Sequence, residues 1–371
     1  MFEPPNSGPL TRILAVGQRA TVTLGLLYLL CVSTAWGLYL WPELSGVSGG
    51  ASGWASGDWG DAGDAVALAR QRHAALVRHA AALPKLLDFV ALDAADLIAK
   101  LESLPQDRAS EAGRAATRVF LAHALTDAGL EAELQAFSAT GDRPGGVNVV
   151  AERPGTVPGA GVVLLGAHYD AVPGSPGADD NGTGIVAALG LARHFATIPT
   201  ARALRVVFFD QEEQGLAGSF AYTQSLERKS GLRAVIILEM LGASCRTVGC
   251  QRYPRDLPIR PATPFGDYLA VLGNAEFPEL LTAALRIRGP LSVFGLLVPN
   301  AGRDLPDTRR SDHAPFWSAG IPAVLLTDTG DFRNRRYHSE ADTIETIAKD
   351  FFLEASRVAG ALVADALSKS N

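Results

Sequence analysis

The spacing of apolar and polar positions divides the chain into three stretches of different character. Residues 20–41, ATVTLGLLYLLCVSTAWGLYLW, carry no charge and are long enough for one helix to cross a bilayer. Residues 45–63 are rich in Gly, Ser and Ala, the composition of a flexible linker. From residue 64, apolar positions recurring near every 3.6 residues predict helices over 64–83, over 92–104 with an Asp93 cap, and over 108–129 with a Gly stop. After residue 130 the period changes. EAELQAF and GVNVVAER read as strands, while GVVLLGAHYD, LRVVFFDQEE, RAVIILEMLG and PAVLLTDTG read as continuous apolar strands buried on both faces. GIVAALGLARHFA and GLAGSFAYTQSLE fall between them with helical spacing. Strands alternating with helices predict an α/β fold, three-layer α/β/α, with a mixed, mainly parallel central sheet.

Charge adds a topology to this pattern. Arg12 and Arg19 precede the apolar run and Glu43, Asp58, Asp61 and Asp64 follow it. Basic flanks stay cytoplasmic, so residues 1–19 are expected inside, 20–41 as a transmembrane anchor, 42–63 as the linker, and 64–371 as a domain on the outer side. A cleaved signal peptide ending at Ser33, Thr34 and Ala35 is the alternative, with the domain then secreted; the apolar run continues past that point, which favours the anchor. The net charge of −6, with no run of basic residues, argues against a nucleic-acid partner. Cys245 and Cys250 are close enough in sequence for a small disulfide loop in an oxidising compartment, and Cys31 lies within the apolar run.

Open α/β sheets carry their functional loops at the carboxyl ends of the strands. That rule selects His168 and Asp170, then Asp210 to Glu213, then Glu239, then the stretch from Asp328 to His338, with Asp179 to Asn181 in the loop after the first buried strand. Imidazole and carboxylate are ligands for a divalent metal such as zinc. Two neighbouring ions need a shared carboxylate, and Asp180 in GADDNGTG (177–184) is the candidate, with Asp179 as its neighbour. Read singly, the same octapeptide is an ordinary turn rich in Asx and Gly. Asp170 stands two residues past His168, placed to accept the other ring N–H and fix the tautomer. Glu212 and Glu213 point different ways at a strand end, so one can bind metal while the other acts as a general base.

GAHYD, GADDNGTG, FFDQEEQGLAGS, LEMLG, SDHAPFWSAGIPAVLLTDT and YHSEADTIETI, in this order over residues 140–350, resemble the M28 family of metallo-aminopeptidases. The resemblance implies one α/β domain, two zinc ions and peptide substrates. It implies that His168 and Glu239 complete one zinc site, Glu213 and His338 the other, and Asp180 bridges them. Asp170 then orients His168, Glu212 is the base, and Tyr337 donates a hydrogen bond to the oxyanion, although a packing role for this Tyr is an equal reading. Many members carry Asp where Glu239 stands, while one branch carries Glu. His313 is expected beside the site or facing substrate, His194 in a structural place, and Asp342 orienting the His338 segment. A pocket built from residues 244–310, with Phe265, Tyr268, Phe277, Phe294 and Leu297 as lining or core, is expected to set the preference for the terminal residue.

The sequence is also compatible with two rival functions: a glutaminyl-peptide cyclotransferase with a related fold and one zinc, and a binding ectodomain without catalysis. Every ligand position is filled, which disfavours the second. No G-x-S-x-G elbow stands between a predicted strand and helix, the match at residues 46–50 lying in the Gly- and Ser-rich linker, and no H-E-x-x-H zinc helix is present.

Overall fold

The computed structural model describes residues 62–86 and 89–370. Residues 1–61, which include the expected transmembrane run and nearly all of the linker, lie outside the described part. Among the described residues no helix is long and apolar enough to cross a membrane.

Three helices open the domain: α1 (Ala62–Ala82), α2 (Ala94–Ser103) and α3 (Glu111–Asp127). The starts of α2 and α3 follow from side-chain caps. The Asp93 carboxylate accepts from the amides of Ala95 and Asp96, and the Ser110 hydroxyl accepts from Gly113, supplying partners that the first helical turn lacks. Eight strands follow, β1 (Ala132–Phe137), β2 (Gly146–Arg153), β3 (Val162–His168), β4 (Ala203–Phe209), β5 (Leu232–Glu239), β6 (Tyr268–Asn274), β7 (Ser292–Val298) and β8 (Ala323–Thr327). They form one sheet in the order β1-β2-β4-β3-β5-β8-β6-β7. The central strands β4, β3, β5 and β8 run parallel. Antiparallel pairs on either side (β1 with β2, β2 with β4, β6 with β8) make the sheet mixed, and β6 with β7 adds a parallel edge.

Alternation along the central strands sends side chains into two separate apolar clusters. Val163, Leu165, Leu204, Val206, Ile236 and Leu238 join one cluster, which also takes up α4 (Gly184–Ala196) and the last helix. Leu164, Val207, Phe209, Val235 and Ile237 join the other, with Tyr222 of α5 (Ala217–Gln224) and Phe316 and Trp317 farther along. Both faces are therefore covered, which is why these strands read as unbroken apolar runs. Short α6 (Leu226–Lys229), then α7 (Glu279–Arg286), α8 (His313–Ser318) and α9 (Lys349–Ser368) complete the set. Residues 244–310 do more than build a pocket, because they supply β6, α7 and β7 to the sheet edge. Of the aromatic and aliphatic residues expected there, Tyr268 and Phe294 line the cleft described below, and Leu297 packs on the core. Cys245 and Cys250 are joined in a disulfide, with their Cα atoms 6.2 Å apart.

The loop between β3 and α4 is anchored by a buried cation. Arg108, only 1 % exposed, donates from Nε to the Tyr169 carbonyl (3.1 Å), from Nη1 to Pro105 (3.2 Å) and Pro176 (3.0 Å), and from Nη2 to Gly177 (2.6 Å). Gly177 has φ 63°, and a Cβ there would stand 2.5 Å from Arg108 Nη2 and 2.3 Å from the Asp180 carbonyl oxygen. Only glycine permits both the left-handed turn and this approach. Arg108→Met should therefore strand several buried carbonyls and lower unfolding stability by about 3 kcal/mol or more, read as a lower urea midpoint at an unchanged slope. A loss below about 1 kcal/mol would mean that the loop does not depend on this guanidinium.

Candidate metal centre

The carboxyl ends of the three central strands deliver their polar residues to one place. His168 is the last residue of β3 and pairs in register with Phe209, the last of β4. Glu212 and Glu213 follow β4 by a short turn, and Glu239 ends β5. Asp180 comes from the irregular turn over residues 178–183, whose Asp180–Asn181 peptide bond is cis, and His338 from the loop after β8. Four non-glycine residues with positive φ stand at or after these ends, Gln211 (58°), Met240 (49°), Thr329 (87°) and His338 (57°). Left-handed backbone at non-glycine positions costs energy, and its clustering at one rim marks a functional site.

Asp180 sits in the middle of the arrangement. Its Oδ1 lies 3.3 Å from His168 Nε2, which is also 3.3 Å from Glu239 Oε1. Its Oδ2 lies 3.2 Å from His338 Nε2, which is 3.0 Å from Glu213 Oε2. Each oxygen of one carboxylate thus faces its own His and Glu pair. Donor atoms of His168, Glu212 and Glu239 lie within 4.8 Å of one another, as do those of His168, Asp180 and Glu213.

Neighbouring groups hold these side chains from behind. Asp170 Oδ1 is 3.4 Å from His168 Nδ1 and accepts from the Glu212 amide (3.0 Å), while its Oδ2 accepts from the Glu213 amide (3.2 Å). One carboxylate therefore ties the end of β3 to the turn after β4. Asp179 turns away from the centre, accepting from the Gly242 amide (2.8 Å) and from Asn334 Nδ2 (2.8 Å). Asn181 donates to the Leu238 carbonyl and accepts from the amides of Gly184 and Met240, locking the loop to β5. Asp342 receives the amides of Asp179 and Asp180 (3.1 and 3.0 Å), so its bonds fix the Asp180 loop to the His338 segment rather than orienting that segment alone.

The sequence places Asp312 near the site, but the contacts of Ser311 and Arg310 lay beyond it. Ser311 donates to Glu239 Oε2 at 2.7 Å, and Asp312 is fully buried close to Glu212, His168 and Glu239. Arg310 reaches the Tyr337 hydroxyl at 3.4 Å and pairs with Asp331 at 2.8 Å. The run RRSDH was a visible signal, because polar residues introduce a buried helix there, but nothing local ties Ser311 to Glu239. His313 does not join the cluster; it contacts the Thr308 carbonyl at 2.8 Å and meets the Trp317 ring edge-on. His194 packs edge-on against Phe89 and Phe195. The Tyr337 ring stacks on His338 with centroids 3.6 Å apart, and its face borders the cleft.

The electrostatics are those of crowded acids. Burial, reinforced by Glu239, Asp312 and Glu213 and opposed by His168, pushes Glu212 well above the ordinary carboxylate range. Burial and the nearby Asp180 push Glu213 up to about 7, and burial pushes Asp312 up to about 7. Burial would also raise Asp180, but His168 and His338 hold it below its ordinary value. For His168 burial works downward, and the carboxylates of Glu239 and Glu212 with the contacts to Asp170 and Asp180 outweigh it, leaving the ring well above its usual range. Two imidazoles face six carboxyl groups, an imbalance that bound dications reverse.

The residues present fit such ions. Glu213 Oε1 is buried without a hydrogen-bond partner, and Asp180 Oδ2 meets His338 outside hydrogen-bond geometry. Tetrahedral zinc with bonds of about 2.0–2.1 Å implies edges of about 3.3 Å between ligand atoms, close to the contacts that Asp180, His168, Glu239, Glu213 and His338 make. A cleft opens beside Asp180, Glu212, Glu213 and Glu239, walled by Tyr253, Leu257, Tyr268, Phe294, Leu296 and Phe332.

Comparison with known proteins agrees with this geometry. The family model for Peptidase family M28 matches residues 148–262 and 297–363, which include every residue at the centre. An uncharacterized protein, YfbL, from Escherichia coli is 32% identical over 202 residues, covering 50% of this chain and 61% of its own length. The aminopeptidase YwaD of Bacillus subtilis is 30% identical over 224 residues, covering 59% of this chain and 44% of its own. The chain thus spans less than two thirds of the length of these relatives. Among solved structures, a zinc aminopeptidase from Bacillus subtilis aligns with TM-score 0.59 at 18% identity, over 75% of this chain and 96% of that one. Porphyromonas gingivalis glutaminyl cyclase aligns with TM-score 0.53 at 17% identity, over 74% of this chain and 99% of that one. At these identities the structural likeness is one of fold, while the family match covers the motifs themselves. The chain belongs to peptidase family M28.

Proposed function

We propose that this protein is a two-zinc aminopeptidase that removes the N-terminal residue of peptides. The observation that carries the reading is Asp180, one carboxylate whose two oxygens each face a separate His and Glu pair. His168 and Glu239 would hold one ion, Glu213 and His338 the other, and Asp180 both. Bound there, zinc supplies Lewis-acid polarisation of the scissile carbonyl and lowers the pKa of water toward about 7.

The chain's own groups do the rest. Glu212, buried and free of any metal-ligand duty in this reading, takes a proton from the attacking water and delivers it to the leaving amine. Asp170 fixes His168 through Nδ1 and holds the turn that presents Glu212. Tyr337, anchored on Arg310, donates its hydroxyl to the oxygen on which negative charge develops. The apolar walls of the cleft suit a large aliphatic or aromatic side chain. The relatives named as aminopeptidases and the complete Glu213 and His338 pair favour hydrolysis over single-zinc cyclisation. The membrane anchor at residues 20–41, with the domain on the outer face, remains part of this proposal on the strength of the uncharged run and its flanks.

Replacing Glu212 by Gln removes the base and leaves the proposed ligands in place. Turnover of leucine p-nitroanilide should fall by about 10²–10⁴-fold while zinc content measured by mass spectrometry stays at the wild-type level. Retained turnover would refute the assignment of the base. Chelation should abolish activity and speed amide exchange across residues 178–184, and zinc should reverse both; a loop equally protected without metal would contradict the proposed ligation.

Metal-free protein should also lose stability as pH rises. Glu213 is pushed up to about 7 from an ordinary 4.5, so the folded chain keeps a proton that the unfolded chain releases, and that contribution is lost between about 4.5 and 7. Burial works against His338, but Asp180 and Glu213 hold it up to about 9 from 6.5, so its contribution is present below 6.5 and lost toward 9. Thermal melts of the chelated protein should fall by about 2–5 °C between pH 6 and 8, and zinc should flatten the trend. A melting temperature that rises over this interval would show that the cluster is not self-repelling.

A further inference from the structure

A second cavity, open to solvent, lies beyond Leu257, which lines both it and the catalytic cleft. Its walls are Arg70 and His73 of α1 and Arg255, Leu257, Pro258, Ile259 and Arg260 of one loop. Among the described residues no acidic side chain lines it, in a chain whose net charge is −6. Asp256 belongs to the same loop but is exposed and outside the lining. Arg70, Arg255 and Arg260 form no ion pair with another described residue. Among the described residues no carboxylate neutralises their charge.

The cavity is built rather than incidental. Arg70 Nε donates to the Pro258 carbonyl at 3.0 Å, pinning α1 to the loop across 188 positions of sequence. The Arg260 guanidinium lies 5.1 Å above the Tyr253 ring, and Tyr253 is itself a wall of the catalytic cleft. The His73 ring stands 6.2 Å from Phe294, a wall of the same cleft, and its Nδ1 is buried without a partner. No sequence run announces this site, because the fold assembles it from two distant segments.

We propose that this basic cavity binds side-chain carboxylates of a peptide substrate, downstream of the residue seated in the catalytic cleft, so that acidic peptides are the preferred substrate class. The inference rests on the peptidase reading. Guanidinium groups pair with carboxylates in a fork geometry, and two or three unpaired arginines beside the cleft favour acidic over neutral peptides through both encounter and residence. Exposed pairs are individually weak and screened by salt, so the preference should be modest and salt-sensitive.

The test compares Leu-Gly-Glu-Glu-amide with Leu-Gly-Gln-Gln-amide on the zinc-loaded protein, with leucine p-nitroanilide as the reference substrate. The wild type should show kcat/KM about five- to tenfold higher for the acidic peptide at low salt, carried by KM, and the ratio should fall toward one in about 0.5 M NaCl. Arg255→Glu, on an exposed side chain, should bring the ratio to one or below, and Arg70→Gln should lower it partway. A wild-type ratio of one, or a higher ratio that Arg255→Glu leaves unchanged, overturns the proposal. Failure of the peptidase reading would show differently, as no hydrolysis of any of the three substrates.

Discussion

Too much negative charge is gathered in too little space for the site to stand alone. Asp170, Asp180, Glu212, Glu213, Glu239 and Asp312 converge where three parallel strands end, with His168 and His338 as the only imidazoles among them. Burying even one unpaired carboxylate is costly, and like charges this close raise one another's pKa. The cluster is tolerable when cations neutralise it, and the surrounding structure serves to hold the acids in place until they do. Asp180 is the residue through which these demands meet, because both of its oxygens are engaged at once.

The supports are distributed over segments far apart in sequence. Arg108 grips the entrance of the Asp180 loop, Asn181 bonds it to β5, and Asp342 receives its two central amides. Asp170 connects β3 to the turn bearing Glu212 and Glu213, and Ser311 holds the free oxygen of Glu239. Strained backbone at Gln211, Met240 and His338 is the cost of aiming those side chains inward, and the two apolar clusters on the faces of the sheet make the strand ends stiff enough to bear it. Positioning by backbone contacts rather than by the ligands alone is what a preorganised centre requires.

Much of this was legible in the sequence, for reasons that differ by element. Strands β3, β4, β5 and β8 were readable because burial on both faces writes an unbroken apolar run, and the rule that α/β sites sit at carboxyl ends then singled out His168, Asp170, Glu212, Glu213, Glu239 and His338. The helix over 94–103 was readable from its Asp93 cap. Strands β6 and β7 were not distinguished within residues 244–310, since short apolar runs such as YLAVLGN and SVFGLLV fit a strand and a core helix segment alike. Helix α9 escaped for a similar reason: it is apolar on most sides and carries no motif. Arg108, Ser311 and the basic cavity were out of reach in principle, because their partners are set by tertiary contact and leave no local spacing to read.

If one carboxylate serves two ions, the number of zinc ions bound depends on both of its His and Glu pairs. Metal-free protein, dialysed against zinc and analysed by mass spectrometry, should carry two ions per chain, and His338→Ala should carry one with the fold intact. A single ion in the wild type, or a count that His338→Ala leaves unchanged, would mean that Asp180 does not bridge two ions.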